Sequence, residues 1–174
     1  MKSIKDYVIT IPDFPKKGIM FRDITSVLQS AEGFSLAIDQ MLERIKDLDF
    51  DAIACLESRG FMFAAPLAYQ LHKPLIPIRK KGKLPRKVVS EEYELEYGTA
   101  VLELHEDAVK PGDRILLIDD LLATGGTMLA GAHLIEKLGG KVVKMLLLLE
   151  LKGLNGREKL KNYDIDTLAS YDGI

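Results

Sequence analysis

The segment Arg114-Ile115-Leu116-Leu117-Ile118-Asp119-Asp120-Leu121-Leu122-Ala123-Thr124-Gly125-Gly126-Thr127 decides how this chain folds. Its run of Ile and Leu is typical of a strand buried on both faces, and Pro111-Gly112 forms a turn into it. Two adjacent carboxylates, Asp119 and Asp120, end the run, and a helical pattern begins after the glycines. The segment therefore predicts a buried strand, two acids and a tight loop that opens a helix.

The loop from Ala123 to Thr127 has the composition of an anion-binding site. Gly125 and Gly126 allow a sharp turn and leave main-chain N–H groups uncovered, and the start of a helix adds positive charge. The hydroxyls of Thr124 and Thr127 are further donors for a phosphate. The acids ahead of the loop would repel that phosphate, so we expect them to hold sugar hydroxyls or a Mg²⁺ ion that the substrate carries.

Two other phosphate-binding loops do not fit this segment. A nucleoside-triphosphate loop has Lys and then Ser or Thr after its last glycine, whereas Thr127 and Met128 follow Gly126. A dinucleotide-binding loop needs three spaced glycines, which are absent. The simplest alternative is a loop in which the Gly-Gly pair allows a tight turn and binds no phosphate.

The rest of the chain repeats the alternation of buried strands with helices. Residues 31–48 carry an apolar stripe at helical spacing, and residues 51–56 predict a short buried strand followed by a polar turn and a helical pattern to Leu71. Residues 74–78 predict a strand near a sheet edge because they contain two prolines, and residues 142–149 predict another buried strand. This order predicts an α/β fold with a central, mostly parallel sheet flanked by helices.

Length and composition indicate one globular domain over residues 1–174. The 47% hydrophobic and 29% charged fractions are ordinary, and a net charge of −2 gives no reason to expect nucleic-acid binding. The single cysteine, Cys55, lies in an apolar run and is expected in the core. The sequence shows neither a signal peptide nor an apolar run that approaches a membrane span, which favours a cytoplasmic protein without membrane attachment.

Two further segments have a structural and a functional interpretation. Residues 1–30 contain Pro12 and Pro15 and predict an irregular arm, whose Phe21 either packs against the core or covers a flat base. The basic run Arg79–Lys87 is either a solvated loop or a mobile cationic flap that closes over a highly charged substrate. The Glu57-Ser58-Arg59-Gly60 turn belongs at the carboxyl end of its strand, where Arg59 suits phosphate oxygens.

Taken together, these motifs resemble type I phosphoribosyltransferases, and in particular the family's adenine-specific branch. The acids followed by Ala-Thr-Gly-Gly-Thr are similar to the family's motif for phosphoribosyl pyrophosphate (PRPP). The Glu-Ser-Arg-Gly turn, the N-terminal Phe-Pro-x-x-Gly-Ile-x-Phe-Arg-Asp-Ile, the basic run and Leu-Glu-Tyr-Gly at residues 95–98 match other family segments in order. The resemblance covers roughly residues 10–160.

The resemblance implies a fold, a division of the chain and a reaction. The fold is the type I phosphoribosyltransferase fold, with a hood over the base from about residues 1–30, a core at about 31–150 and a mobile catalytic loop at about 79–98. The reaction is Mg²⁺-dependent and converts adenine and PRPP to AMP and pyrophosphate in purine salvage. The resemblance also implies a homodimer. A cis peptide bond is expected between Glu57 and Ser58.

The resemblance also assigns roles to individual residues. Asp119 and Asp120 hold the ribose, directly or through Mg²⁺, and Glu96 is the proposed acid/base. The phosphate loop is Ala123, Thr124, Gly125, Gly126 and Thr127. The pyrophosphate residues are Glu57, Ser58, Arg59, Arg79, Lys80 and Lys83. The base-binding residues are Met20, Phe21, Arg22, Leu121 and Leu151.

Two alternatives remain open on the sequence. One is a phosphoribosyltransferase for xanthine, guanine or hypoxanthine, which present a different hydrogen-bonding edge. The other is a PRPP-sensing regulator, although the chain offers neither room nor a basic helix for a DNA-binding domain.

Overall fold

A seven-stranded sheet forms the centre of the molecule in the computed structural model, which describes residues 1–95 and 97–174. Its strands are β3 Ala52–Leu56, β4 Leu75–Lys80, β5 Val88–Glu94, β6 Thr99–His105, β7 Arg114–Leu122, β8 Lys141–Leu151 and β9 Ile165–Tyr171. Their order across the sheet is β5-β6-β4-β3-β7-β8-β9. Strands β4, β3, β7, β8 and β9 run parallel, and β5 and β6 are antiparallel. The prediction of a mostly parallel sheet is confirmed.

Helices cover both faces of this sheet. Their bounds are α1 Thr25–Leu28, α2 Ala31–Ile45, α3 Arg59–Leu71, α4 Gly126–Lys137 and α5 Gly156–Lys159. Successive residues of β7 point to opposite faces, so Leu116 and Ile118 pack in one core with α2 and α3 while Ile115 and Leu117 pack in the other with α4. All four are fully buried, which explains why β7 is apolar without alternation.

The N-terminal arm is more regular than the sequence predicted. Strands β1 (Ile9–Pro12) and β2 (Met20–Asp23) form a separate antiparallel pair, so the prediction of an irregular arm was wrong. Pro15, which follows a cis peptide bond, lies in the connection between the two strands and interrupts no ladder. The hairpin lies beside the carboxyl ends of the main sheet.

The predicted edge position of β4 was also wrong, since β4 lies between β6 and β3. The carbonyls of Pro74 and Ile78 accept hydrogen bonds from the β3 side, so the nitrogen of Pro77 faces β6. There the pairing with β6 includes only Arg79 and Lys80, and no ladder bond is lost at Pro77.

Two elements carry no strong sequence signal. Strand β9 was not predicted, and its residues are all half-buried rather than apolar and alternating. Residues 79–98 were predicted as a mobile loop, and their described part includes the end of β4, a turn and all of β5. Within the described residues, each helix is too short or too polar to cross a bilayer.

Candidate active site

The two carboxylates at the end of β7 are buried at the carboxyl edge of the sheet. Asp119 is 9% exposed and Asp120 is 4% exposed. The main-chain N–H of Asp120 donates to Asp119 Oδ1 over 2.8 Å. Helix α3 begins directly above them, and a Cβ on Gly60 would lie 3.0 Å from Asp119 Oδ1. Glycine at this position therefore lets the helix start close to the acid.

Burial raises the pKa of Asp119 well above its ordinary value of 3.8, and the neighbouring Asp120 carboxylate raises it further. The positive charge of Arg59 opposes this shift without cancelling it. Two acids in one buried position resist ionising together, so the pair is suited to binding hydroxyl groups or a cation.

Arg59, the first residue of α3, bridges the acids and the adjacent cavity. Its Nε lies 2.6 Å from Asp120 Oδ2, which makes a close ion pair. This contact lacks the geometry of a hydrogen bond. Among the described residues, no other group donates a hydrogen bond to Asp120 Oδ2. The Arg59 side chain is 46% exposed, so the remaining N–H groups of its guanidinium are available to a ligand.

The preceding turn contains the expected cis peptide bond between Glu57 and Ser58. The Glu57 carboxylate accepts a hydrogen bond from the main-chain N–H of Lys80 over 2.7 Å and lies 3.5 Å from Arg79 Nη2. Desolvation raises the pKa of Glu57, but the Lys80 N–H and the charge of Arg79 outweigh it and leave the pKa below 4.5. The carboxylate of Glu57 thus holds the start of the basic run in place.

The predicted phosphate loop depends on one glycine in the left-handed region. Gly125 has φ +86°, and it precedes α4 as its N-cap. A Cβ at this position would lie 2.6 Å from the carbonyl oxygen of Gly156, at the start of α5. The contact is reciprocal, because a Cβ on Gly156 would lie 2.4 Å from the carbonyl oxygen of Ala123. Helix α5 therefore supports the loop through glycine-to-main-chain contacts.

A polar cavity of about 450 Å³ gathers these groups. Of the predicted site residues, its lining includes Glu57, Ser58, Arg59, Lys80, Asp119, Asp120, Leu121, Ala123, Thr124, Gly125 and Thr127. Arg79, Lys83 and Gly126 do not line it. Gly126 instead faces β5, where its nearest neighbours are the Tyr93 ring and the Glu94 carbonyl. Tyr93, Leu122 and Met128 line the cavity and were not predicted.

A second, apolar pocket of about 300 Å³ lies under the N-terminal hairpin. It contains all the predicted base-binding residues: Met20, Phe21, Arg22, Leu121 and Leu151. Ile19, Ile24, Leu154 and Ile174 complete the lining and were missed. Leu154 follows Leu151 by three residues and one turn of 3₁₀ helix, and this spacing is the signal that the sequence carries for it. Ile174 carries no local signal.

The two pockets share a boundary formed by Arg59, Asp120, Leu121 and Thr124. A bound molecule can therefore place a charged part in one pocket and a flat apolar part in the other. Glu96, the predicted acid/base, lies outside the described residues. Its neighbour Tyr97 is 78% exposed.

Comparison with known proteins gives a consistent result along the whole chain. Residues 24–171 match the family model described as the phosphoribosyl transferase domain. An adenine phosphoribosyltransferase of Agathobacter rectalis is 63% identical over 173 residues, which cover 99% of each chain.

Solved structures agree with that relationship. The adenine phosphoribosyltransferase of Thermoanaerobacter pseudethanolicus has a TM-score of 0.92 at 52% identity and covers 97% of this chain and 98% of its own. The Saccharomyces cerevisiae enzyme has a TM-score of 0.88 at 35% identity, with 95% and 96% coverage. It was crystallised with adenine and an imino-altritol bisphosphate. The predicted type I phosphoribosyltransferase fold is confirmed.

Proposed function

Because the chain belongs to the phosphoribosyltransferase family, we propose that it transfers the phosphoribosyl group of PRPP to adenine, with release of AMP and pyrophosphate. This is a pentosyl transfer of purine salvage. The two joined pockets are the single observation that carries the proposal, since the substrates consist of a highly charged pentose and a flat apolar base.

The ribose 5-phosphate occupies the polar cavity in this proposal. The main-chain N–H groups of Ala123–Thr127 and the positive end of α4 bind its 5′-phosphate. Asp119 and Asp120 hold the ribose hydroxyls and favour positive charge on the ring. The loop and the acids together fix C1 of the ribose toward the apolar pocket, which is an orientation effect on rate.

Pyrophosphate leaves toward the opposite side of the cavity. Arg59 and Lys80 line that side and meet the charge that develops on the leaving oxygen. Glu57 and Ser58 contribute through the turn that carries Arg59, and the Glu57 carboxylate fixes Lys80. Arg79 and Lys83 belong to the same basic run and come into use when residues 79–98 close over the substrate.

The purine lies between Phe21 of the hood and the side chains of Leu121 and Leu151. The main chain of Met20 and Arg22 reads its edge. N9 of the base attacks C1 as the bond to pyrophosphate breaks, through a sugar transition state with positive charge on the ring. Glu96 accepts the N9 proton in this scheme, a transfer that contributes about 10²–10⁴ in rate.

Mg²⁺ fits this site as a cation carried by the substrate. The described residues offer no cluster of three or more His, Cys, Asp or Glu side chains for a protein cage. Mg²⁺ is commonly bound through one or two carboxylates together with substrate oxygens, and the neighbouring carboxylates of Asp119 and Asp120 line the polar cavity. Asp119 and Asp120 would hold the ion, which neutralises charge on the phosphates when bound.

A homodimer is part of the proposal, and an exposed apolar stripe on α3 supports it. Met62 is 48% exposed and Tyr69 is 87% exposed, and their spacing of seven places them on one helical face. Leu75, at the start of β4, is 40% exposed nearby in the chain. We also propose that the enzyme works in the cytoplasm as a single domain over residues 1–174, with Cys55 buried as a reduced thiol.

One assay tests the reaction directly. Adenine, hypoxanthine, guanine and xanthine are each incubated with PRPP, Mg²⁺ and enzyme, and nucleotide formation is followed by chromatography. The proposal predicts AMP from adenine and far slower reaction of the three 6-oxopurines. Preferential reaction of a 6-oxopurine, or no nucleotide at all, would contradict it.

A further inference from the structure

We propose that Arg157 is a positioning residue for the phosphate loop, which it holds in place by fixing α5 to the buried carboxylate of Glu150. This inference rests on the proposed binding of a substrate 5′-phosphate by the main chain of Ala123–Thr127. Arg157 itself lines neither of the two pockets, so its effect on a ligand passes through the loop.

The guanidinium of Arg157 makes a two-point ion pair with Glu150 near the end of β8. Its Nε lies 2.8 Å from Oε1 of Glu150 and its Nη2 lies 2.9 Å from Oε2, an arrangement that fixes direction as well as distance. Glu150 is 5% exposed, and Oε2 also accepts a hydrogen bond from the Thr167 hydroxyl over 3.3 Å. The hydrogen bonds from Arg157 hold the pKa of Glu150 below 4.5 although burial raises it, so the carboxylate is charged at neutral pH.

Helix α5 depends on such contacts for its position because it has only four residues, too few to be stable by its own hydrogen bonds. Nη1 of Arg157 donates to the main-chain carbonyl of Ile165 over 3.3 Å, which adds β9 to the anchor. At the other end of the helix, Leu160 is fully buried in the same core cluster as Leu122. The ion pair and this core contact together fix α5 against the sheet.

The residue before Arg157 carries this anchor to the phosphate loop. A Cβ on Gly156 would lie 2.4 Å from the carbonyl oxygen of Ala123 and 3.0 Å from Cδ1 of Leu122. On the loop side, a Cβ on Gly125 would lie 2.6 Å from the carbonyl oxygen of Gly156. The two main chains therefore touch without a side chain between them, and a displacement of α5 has to displace the loop because packed main chain cannot rotate away.

The sheet refers the loop to the same glutamate a second time. Glu150 is paired in register with Leu122, the residue directly before the loop. The start of the loop is thus set by the pairing of β7 with β8, and its middle is set by α5 through Arg157. Such an anchor directs the main-chain N–H groups before the substrate arrives. A misplacement of about 1 Å at a site of this kind can cost on the order of 10²-fold in rate.

A double variant, Glu150→Gln with Arg157→Met, removes the ion pair without leaving a buried charge alone. We expect KM for AMP in the reverse reaction, and Ki for ribose 5-phosphate, to rise about tenfold because both ligands carry the 5′-phosphate. KM for adenine and for pyrophosphate should stay within about twofold, since neither ligand carries that group. Arg157→Lys keeps the charge and loses the two-point geometry, so its expected rise is about threefold.

The matched control is Arg44→Met with Asp166→Asn, which removes an ion pair of 2.6 Å between α2 and β9. The side chains of Arg44 and Arg157 are similarly exposed, at 46% and 48%, and Arg44 lines neither pocket of the site. We expect every KM of this control to stay within about twofold of the wild type. A purely structural role of Arg157 would reduce the amount of folded enzyme, which lowers kcat for all substrates and leaves each KM unchanged.

Unchanged values of KM for AMP and Ki for ribose 5-phosphate in the Arg157 variants would overturn the inference, and so would an equal rise of KM for all four substrates. Should the double variant fail to fold, Arg157→Lys carries the same test. Failure of the wild type to form AMP would overturn the proposed reaction. Calorimetry with ribose 5-phosphate would then decide the inference separately: weaker binding by the variant supports it, and equal binding or none overturns it.

Discussion

Replacing Gly125 by alanine tests the claim that the loop before α4 needs glycine for its geometry. Alanine at φ +86° costs about 1 kcal/mol because its Cβ crowds the backbone in the left-handed region. The same Cβ would lie 2.6 Å from the carbonyl oxygen of Gly156, a main-chain atom that cannot rotate away. Overpacking of this kind costs about 1–3 kcal/mol. We expect a total loss of about 2–4 kcal/mol in the free energy of unfolding.

For a protein of this size that loss corresponds to a fall in Tm of roughly 4–16 °C, which calorimetry or a thermal-shift assay measures readily. Gly126→Ala is the matched control: its φ is not positive, and its Cβ would meet only ordinary contacts at 3.8 Å and 3.9 Å. Gly126 also begins α4, where alanine is favourable. We expect its Tm to change by less than about 2 °C. Equal Tm values for the two variants would refute this reasoning.

Three other predictions concern charged groups of the proposed site. Asp119→Asn should slow turnover severely yet stabilise the fold above pH 4. The pKa of Asp119 is raised above 3.8 in the folded protein, so the free energy of unfolding of the wild type falls as the pH rises from 3.8 through the raised pKa. Asparagine does not ionise and avoids this loss. Urea unfolding at pH 4 and pH 8 should show this fall in the wild type and a smaller one in the variant; equal pH dependence would refute the buried-acid assignment. Arg59→Ala should raise KM for PRPP about 10–100-fold with little change for adenine, since a charge-assisted phosphate contact is lost; unchanged PRPP kinetics would exclude that role. Glu96→Gln should lower kcat about 10²–10⁴-fold without abolishing AMP formation, and a normal kcat would remove Glu96 from the proton transfer.

The core of the fold follows closely from local sequence pattern. Strand β7 could be predicted because Ile115–Ile118 are apolar on both faces, and only the centre of a parallel sheet covered by helices buries both faces. The turn at Glu57 and the loop at Ala123–Thr127 then had to meet, since the carboxyl ends of neighbouring parallel strands share one edge.

Other features depend on contacts between distant parts of the chain. Strand β9 is half-buried along its length, so its residues carry neither a continuous apolar run nor strict alternation. Ile174 reaches the base pocket only because β9 ends beside the hood, a tertiary relationship that its own sequence context does not encode. The interior position of β4 likewise depends on where pairing with β6 stops, which the prolines alone do not specify.

The most direct test of the central claim is a crystal structure of the protein with AMP. The phosphate should accept hydrogen bonds of about 2.7–3.2 Å from main-chain N–H groups between Thr124 and Thr127, with the purine between Phe21 and Leu151. A phosphate bound instead at the basic run Arg79–Lys87, or a purine outside the apolar pocket, would contradict the account.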